Sequence, residues 1–295
     1  MKRKILAVGE VLWDLLPAGR QLGGAPANFA YHCRALGAEA SLVSRVGSDA
    51  LGQEILDRLS AMGIVAQCVT VDPTAPTGTV SVELSADGQP HFTIHENVAW
   101  DRIEADDNAL SLAREADCVC FGSLSQRSES LRQTIRALVA ATPPQALRIF
   151  DINLRQHFFS EDVIRESVRL SNILKINDQE LPRLAAMLGL GGSVREQLTD
   201  LSGRYQLRMV ALTRGAGGSL LCAQGRLAEH PGLPSKVADT VGAGDAFTAA
   251  MALGLLAAWD LDTINERANE LAAYVCSQPG GTPGLPQSIK RHWAG

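Results

Sequence analysis

The sequence predicts an α/β fold of three layers, in which a mostly parallel central sheet lies between helices on both faces and carries a small antiparallel β lid. Two observations support this prediction. Short apolar runs alternate with segments of helical period along most of the chain, which is typical of a parallel sheet covered by helices. Residues 77–95 instead alternate polar and apolar residues around a turn at Asp87 and Gly88, which predicts an antiparallel hairpin.

The individual strands and helices follow one another in the order that this fold needs. Residues 4–9 form a short apolar strand, and residues 25–36 have helical spacing that stops at Gly37. Residues 40–46 are apolar and β-branched, and residues 52–62 return to a helical period before Gly63. After the hairpin, strands and helices are again predicted at residues 118–121, 128–140, 148–152, 162–170, 173–175, 178–188, 209–213 and 245–257.

The hairpin and the chain length determine the expected domain organisation. Antiparallel strands outside a parallel sheet can cover its carboxyl edge, and we expect lid segments at approximately residues 11–22 and 77–98. An edge hairpin without a function is the alternative. A chain of 295 residues is long enough for two domains. Because no repeat, low-complexity tract or linker divides it, we expect one domain over residues 1–295.

Composition and charge exclude several classes of protein. With 46% hydrophobic and 20% charged residues, the chain is typical of globular proteins. A net charge of −5 without a run of five or more basic residues argues against a nucleic-acid partner. The longest apolar stretch, residues 246–259, is shorter than the about 20 residues of a membrane span, and the first apolar run is too short for a signal peptide. We therefore expect a cytoplasmic protein whose six scattered cysteines are reduced.

The segment DTVGAGD at residues 239–245 carries the clearest chemical signal. Gly242 and Gly244 stand at the mouth of a predicted helix, where uncovered backbone N–H groups and the helix dipole suit an anionic oxygen. A kinase needs a base beside such an anion hole, and Asp245 supplies one. A helix-capping aspartate is the alternative, but it does not explain the two glycines. The Walker motif, the dinucleotide-binding fingerprint and the hydrolase nucleophile elbow are absent from the sequence.

Two motifs together resemble the signatures of the ribokinase-like (PfkB) carbohydrate kinases. Residues 239–245 are similar to the carboxyl-terminal signature of that family, and LGGAPANFA at residues 22–30 is similar to the amino-terminal one. Further matches are DINLR at residues 151–155, NDQE at residues 177–180 and TRGAGG at residues 213–218. The resemblance therefore extends over essentially the whole chain, and it implies a ribokinase-like fold and ATP-dependent phosphorylation of a sugar hydroxyl.

The resemblance also implies which residues form the catalytic and sugar-binding sites. Asp245 would be the catalytic base. The charge that develops on the phosphoryl group would be held by the N–H groups of Gly242, Ala243 and Gly244. A short carboxylate and an amide can engage neighbouring hydroxyls, and glycines let a sugar ring lie against backbone. The residues implied for the sugar are Asp14, Gly23, Gly24 and Asn28. For Asp14 alone, a turn-forming aspartate is the alternative.

The nucleotide and its metal are implied to bind at a second group of residues. Asn177 and Glu180 match an Asn-x-x-Glu element that organises Mg²⁺ through its waters, and a capping box is their alternative reading. Two cations near the loop could meet phosphate oxygens or could be solvated: Lys175 and Arg214. The residues implied for the nucleotide loop and the adenine are Thr213, Gly215, Gly218 and Asn269.

Many members of the family hold a monovalent cation on backbone oxygens beside the anion hole. The matching positions are the backbones of Asp239 and Val241, with the segment after Cys276. Carbonyl ligands leave no side-chain signature, so the sequence permits K⁺ without demanding it. Lid strands in the family often pair in a homodimer. The alternative is that loops of the same chain cover the exposed strand edge of the lid.

The substrate is suggested by the sequence around the implied sugar residues. VLWDLLP at residues 11–17 and LGGAPAN at residues 22–28 are most similar to fructokinases, which implies phosphorylation of D-fructose to fructose 6-phosphate. DINLR also resembles the 2-keto-3-deoxygluconate kinases, in which Arg155 would face a substrate carboxylate. Nucleoside kinases are less favoured because aromatic residues for base stacking are few. A non-catalytic sugar sensor would have lost the base or the glycines, and both are present.

Overall fold

A large β-sheet forms the centre of the protein, whose computed structural model describes residues 2–16, 19–84 and 90–293. Its strands are β1 (Lys4–Val8), β4 (Glu39–Gly47), β5 (Val69–Asp72), β8 (Cys118–Gly122), β9 (Leu147–Asp151), β10 (Ile173–Asn177), β11 (Met209–Thr213), β12 (Ser219–Ala223) and β13 (Arg226–His230). Their order is β13-β12-β11-β10-β9-β8-β1-β4-β5. Neighbours are parallel except at β12, which runs antiparallel to β11 and β13. The expected mostly parallel sheet is confirmed.

A second, smaller sheet contains the hairpin that the sequence predicts. Its strands are β2 (Leu12–Leu16), β3 (Gly19–Gly23), β6 (Thr79–Leu84) and β7 (Pro90–Ile94), in the order β3-β2-β6-β7. β6 and β7 are antiparallel, which confirms the hairpin, while its turn at Asp87 and Gly88 lies outside the described residues. β2 and β3 form a second antiparallel pair, and β2 runs parallel to β6. That this sheet closes as a lid stays a prediction.

Helices cover both faces of the large sheet. One layer contains α1 (Ala25–Ala35), α2 (Ala50–Ala61), α8 (Ala243–Leu256), α9 (Leu261–Cys276) and α10 (Gln287–Lys290). The other contains α3 (Asp107–Glu115), α4 (Glu129–Ala141), α5 (Glu161–Leu170), α6 (Leu181–Leu188) and α7 (Val194–Arg204). Successive side chains of a strand point to opposite faces, so Ile5 packs with the first layer and Leu6 with the second. The three-layer architecture is therefore confirmed.

Among the helices that begin at other residues than predicted, two contribute to the site described below. The helix predicted for residues 178–188 begins at Leu181, because Oδ1 of Asn177 accepts the N–H groups of Gln179 and Glu180 and holds them in a turn. The helix predicted for residues 245–257 begins at Ala243, because Gly242 before it has a left-handed φ of 76° and starts the helix earlier.

The longest apolar stretch of the sequence belongs to α8, which is buried against α1, α9 and the sheet. A helix that is apolar on all sides is expected in such a position. In the part of the chain that the structure describes, we find no helix with the length and apolar character needed to cross a membrane.

Candidate active site

The candidate site lies where parallel strands end at the carboxyl edge of the large sheet. β9, β10 and β11 end at Asp151, Asn177 and Thr213, and β1 is followed by Gly9 and Glu10. The chain order reverses at β1, which pairs with β4 on one side and with β8 on the other. Such a switch point leaves a crevice at the carboxyl edge, where open α/β sheets bind ligands.

The amino terminus of α8 has the backbone geometry of an anion-binding site. Gly242 adopts a left-handed φ of 76°, and a Cβ atom there would lie 2.5 Å from Cα of Gly281. A Cβ atom on Gly244 would lie 3.1 Å from Nζ of Lys175. Both positions therefore favour glycine, and the first N–H groups of the helix have no acceptor within it. The N–H of Ala243 makes only a long contact of 3.4 Å with the carbonyl oxygen of Thr240. The helix dipole adds positive potential at the same point.

Asp245 lies in the first turn of α8 and is held by a residue from the opposite end of the sequence. Nδ2 of Asn28, a buried residue of α1, donates a hydrogen bond of 2.9 Å to Oδ2 of Asp245. Loss of hydration raises the pKa of Asp245 to about 7, and the carboxylate of Asp151 adds to the rise. Asn28, Lys175 and Arg155 oppose it. Near neutral pH this carboxyl group can therefore accept a proton.

The residues predicted for the sugar meet beside this carboxyl group. Asp14 is on β2 and Gly23 ends the neighbouring strand β3, where a Cβ atom would collide with Oδ2 of Asp14. Gly24 has a φ of 106°, and a Cβ atom on it would lie 2.5 Å from the carbonyl oxygen of Glu10. Burial raises the pKa of Asp14 to about 6, the charge of Asp239 adds to the rise, and Arg155 opposes it.

Arg155 joins this group from the loop after β9. It is exposed, and its Nη1 donates 3.1 Å to the carbonyl oxygen of Leu154. Its positive charge acts on three carboxyl groups and lowers the pKa of Glu10, Asp14 and Asp245. An arginine among these acids could bind a substrate carboxylate.

The side chain of Lys175 ends next to the anion hole, beside Gly244. The side chain is buried on β10, and Nζ lies 3.0 Å from Oδ1 of Asp151. Burial lowers the pKa of Lys175, but the carboxylates of Asp151, Glu180 and Asp245 outweigh this effect and raise it. The ammonium group is therefore charged, and it lies against Gly244.

Asn177 and Glu180 form the reciprocal bonds of a capping box. Oδ1 of Asn177 accepts the N–H of Glu180 at 2.9 Å, and Oε2 of Glu180 accepts the N–H of Asn177 at 2.9 Å. Oε1 of Glu180 accepts the N–H of Leu154, also at 2.9 Å. Each carboxylate oxygen has two lone pairs, so one on each oxygen is left to accept a hydrogen bond from water.

The predicted nucleotide loop follows β11. Thr213 ends that strand, and the chain turns back through a short 3₁₀ helix, where Gly215 and Gly218 have φ of 52° and 75°. The turn returns the chain into β12, because the carbonyl oxygen of Gly218 accepts the N–H of Arg214 at 2.7 Å. It supplies a glycine-rich backbone at the carboxyl edge of the sheet.

Arg214 and Asn269 have protein partners of their own. The guanidinium of Arg214 donates to Oε1 of Glu229 at 2.8 Å and to the carbonyl oxygens of Ser219 and His230. These contacts direct it to β12 and β13. Nδ2 of the buried Asn269 donates to Oγ of Ser219 at 2.6 Å, within a cluster that includes Asn265. The roles of Arg214 toward phosphate and of Asn269 toward adenine stay predictions.

The backbone segments predicted to bind a monovalent cation lie next to one another around Asp239. Its carboxylate accepts the N–H groups of Val241 and Gly280, at 3.0 and 3.1 Å. Its own N–H and that of Ala238 donate to the carbonyl oxygen of Cys276. The three segments expected around a K⁺ ion are thus adjacent.

Two buried side chains that support the site were not predicted from the sequence. Glu10 is 2% exposed, its Oε2 accepts a hydrogen bond of 2.8 Å from Oγ of Ser125, and burial raises its pKa. His32 lies one helical turn after Asn28, with Nε2 2.9 Å from the carbonyl oxygen of Gly281, and burial lowers its pKa to about 4. The available signals were a carboxylate directly after a buried strand and the i, i+4 spacing on α1.

Comparisons with known proteins agree with this geometry. The model of the pfkB family of carbohydrate kinases matches residues 18–288. The chain is 29% identical to a protein named as a sugar kinase of Pyrococcus horikoshii, over 97% of this chain and 94% of that protein. It is 29% identical to a fructokinase of Klebsiella pneumoniae, over 92% and 91% of the two chains.

Solved structures are similar over nearly the whole chain. The fructokinase of Vibrio cholerae O395 in its fructose, ADP and calcium ion bound form has a TM-score of 0.83 at 25% identity, covering 99% of each chain. The Pyrococcus horikoshii sugar kinase in complex with ATP has a TM-score of 0.82 at 28% identity, covering 98% of this chain and 99% of the other.

Proposed function

The chain belongs to the pfkB family of carbohydrate kinases, and we propose that it transfers the γ-phosphoryl group of ATP to a hydroxyl of D-fructose, forming fructose 6-phosphate. The main support for this proposal is the position of Asp245. Asp245, whose pKa is raised to about 7, stands at the glycine-rich amino terminus of α8 and is oriented by Asn28 from the other end of the sequence. A base next to an anion hole is the arrangement that phosphoryl transfer to an alcohol requires.

The proposed reaction follows from this adjacency. Asp245 takes the proton of the sugar hydroxyl while the hydroxyl oxygen bonds to the γ-phosphorus. The bond from that phosphorus to the β–γ bridging oxygen breaks, and ADP leaves. The N–H groups at residues 242–244 hold the charge that develops on the transferred group. Asp14 and Asn28 would orient the sugar, and Gly23 and Gly24 would let its ring approach the backbone.

We propose that the divalent metal accompanying ATP is Mg²⁺. A related fructokinase has been solved with fructose, ADP and a calcium ion. Mg²⁺ is held mostly by phosphate oxygens and water, so it needs little from the protein. Glu180 has a lone pair on each oxygen for a metal-bound water, and Asn177 fixes the turn that carries it. The ion would supply positive charge to the phosphates.

Fructose is favoured over other sugars by the relatives named fructokinases, whereas Arg155 favours an acid sugar such as 2-keto-3-deoxygluconate. ADP release measured over fructose, ribose, tagatose, 2-keto-3-deoxygluconate and nucleosides separates them. We expect the highest kcat/KM with fructose, and Arg155→Met to change it by less than about threefold. A preference for the keto acid that disappears in Arg155→Met would replace fructose by the acid sugar. A non-catalytic sugar sensor would release no ADP above background.

We propose that the carbonyl-rich segments around Asp239, Val241 and Cys276 bind K⁺. A related fructokinase variant has been solved with a potassium ion. The assay that tests this compares kcat in potassium with kcat in tetramethylammonium at equal ionic strength, because the larger cation cannot enter a site of carbonyl oxygens. Equal rates in the two salts would exclude the cation.

We also propose that the small sheet pairs with a second copy of the chain. Its side chains include the exposed apolar residues Leu15 and Phe92, with 37% and 50% of their surface accessible, and β3 and β7 are its outer strands. Light scattering after size exclusion should give twice the 31.4 kDa chain mass, and Phe92→Glu should reduce it to one chain. A monomeric wild type would contradict the pairing.

A further inference from the structure

Three buried polar side chains lie directly beneath the anion hole. Asp151 ends β9, Lys175 is on β10, and Thr248 is in the second turn of α8. Their exposed fractions are 6%, 6% and 1%. Charged side chains are rarely buried to this degree unless they are paired.

Asp151 holds both of the other side chains. Its Oδ1 lies 3.0 Å from Nζ of Lys175, and its Oδ2 accepts a hydrogen bond of 3.0 Å from Oγ1 of Thr248. The single proton of this hydroxyl is shared with the carbonyl oxygen of Gly244, which lies 2.9 Å from Oγ1. One carboxylate therefore fixes a cation and is linked to the backbone that forms the anion hole.

The ammonium group occupies the space in which a side chain at position 244 would lie. A Cβ atom on Gly244 would be 3.1 Å from Nζ of Lys175. A cation at a helix amino terminus is repelled by the helix dipole, so this position needs a compensating negative charge. Among the described residues, Asp151 is the one hydrogen-bond acceptor of an ammonium group that has three donors. The other donors are available to an anion bound at the helix.

We propose that Asp151 is a positioning residue for phosphoryl transfer, which holds the Lys175 ammonium against Gly244 and, through Thr248, fixes the backbone of the anion hole. This inference rests on the proposed kinase function. Lys175 then contributes a fixed positive charge beside the transferred phosphoryl group, and Asp151 contacts neither the sugar nor ATP. A fixed cation stabilises developing charge without having to reorganise during the reaction.

A role in stability alone explains the arrangement less well. Buried ion pairs are weak stabilisers, and apolar residues of similar volume often replace them without loss. A stabilising pair also has no reason to lie at a helix start where two glycines expose the backbone. The experiment therefore has to separate catalysis from stability.

Removing the charge of Asp151 is the first test. In Asp151→Asn we expect kcat to fall by about 10²-fold, since misplacement of a catalytic group by about 1 Å costs that much. The Kd for fructose, measured by calorimetry on the full chain, should change by less than about twofold. Lys175→Met should have a similar effect on kcat, and the double variant should lose little more than either single one, because the two residues act as a unit.

The matched control lies at the other end of the same strands. Asn172, just before β10, is 7% exposed, and its side chain bonds the backbones of Arg148 and Ala146. Asn172→Ala should lower the Tm as a buried polar substitution does, yet leave kcat within about twofold. A loss of kcat in Asp151→Asn that equals the loss in Asn172→Ala would overturn the proposal.

Thr248 provides a second test that does not depend on the folding of a charge variant. Thr248→Val keeps the volume and removes the hydroxyl, whereas Thr248→Ser keeps the hydroxyl. We expect kcat to fall by about tenfold in the valine variant and by less than about twofold in the serine variant. Equal rates in the two variants would overturn the proposal. A wild-type chain that releases no ADP with any sugar would overturn the kinase function as well.

Discussion

At the scale of single residues, the proposed base depends on neighbours from several elements. Asn28 of α1 donates to Asp245, Asp151 of β9 raises its pKa, and Lys175 and Arg155 lower it. Burial of the carboxyl group outweighs these opposing effects. The result is a base that titrates close to neutral pH, where proton transfer from an alcohol is most efficient.

Replacement of the base is the most direct test at this scale. In Asp245→Asn we expect kcat to fall by about 10²–10⁴-fold, because proton transfer and orientation of the alcohol are lost. Fructose binding measured by calorimetry should persist. Asp260→Asn, the same change at the amino terminus of α9, is the control and should leave kcat unchanged. A variant of Asp245 that keeps a tenth of the wild-type kcat would remove it from the mechanism.

The pH dependence of kcat/KM tests the titration of the same group. The carboxylate is the active form, and its pKa is about 7, so kcat/KM at saturating ATP should rise by about tenfold per pH unit below pH 7 and level off above it. Asn28 lowers this pKa, so the rise should move to higher pH in Asn28→Ala. A profile that is flat down to pH 5 would contradict the assignment.

Asp14 is the residue to change for sugar binding. Its carboxylate is on β2 beside Gly23, in the small sheet, whereas the residues predicted for the nucleotide belong to the large sheet, its loops and α9. We expect Asp14→Ala to raise KM for the sugar by about tenfold or more, because a charged hydrogen-bond acceptor is lost, and to leave KM for ATP nearly unchanged. Steady-state kinetics measure both constants. An unchanged KM for the sugar would place Asp14 outside the pocket.

At the scale of elements, the site joins a helix of the core to a separate small sheet. α8 is buried on all sides, and it carries the anion hole and Asp245 on a fixed helix. The small sheet carries Asp14 on β2, and β7 is linked to the loop after β9 by Nε2 of Gln156, which donates 2.6 Å to the carbonyl oxygen of Phe92. This difference suits a fixed catalytic group and a closing cover.

Hydrogen exchange tests whether the small sheet is a lid. We expect fructose to slow the exchange of backbone amides in β2, β6 and β7, because closure over the sugar protects them. The hairpin of β12 and β13 is a matched control, since it is also antiparallel and lies at the edge of the large sheet; its exchange should not change with sugar. Equal exchange in β6 and β7 with and without sugar would leave an edge hairpin without a lid function.

At the scale of the whole molecule, one site needs both ends of the chain. Asp14, Gly24 and Asn28 come from the amino-terminal part, and Asp245 and Gly281 come from the carboxyl-terminal part. α1 connects them, because Asn28 donates to Asp245 and His32 contacts Gly281. The net charge of −5 gives ATP no attraction at long range, so helix dipoles, Lys175 and a metal ion must provide it locally.

Because the candidate site uses residues from both ends of the chain, we expect the protein to unfold as one unit. If the chain is one domain, calorimetry should record a single cooperative transition, and fructose at about 100 times its Kd should stabilise the whole of it by about 2.7 kcal/mol. A hexose that shows no binding by calorimetry, at equal concentration, is the control and should leave the Tm unchanged. Two transitions, of which fructose shifts only one, would divide the chain into two domains.

The sequence predicted most of the strands and helices that surround the site because their local signals are strong. The strand at residues 4–8 and the helix at residues 25–35 have clear periods and end at glycines. No individual prediction was made for the five strands β2, β3, β5, β12 and β13, since four- or five-residue strands are stabilised by the partners beside them. None was made for the helices α3, α7, α9 and α10. The start of α6 was wrong because the side chain of Asn177 competes for backbone N–H groups.

Residue types at short spacing were enough to identify the fold class and the family and to predict a base beside an anion hole. The distant groups that meet were visible only in the folded chain: Asn28 bonds Asp245, Lys175 pairs with Asp151 beside Gly244, and Arg214 pairs with Glu229. The physical reason is that charge and burial act through space. The pKa of Asp245 is set by neighbours that sequence distance does not reveal.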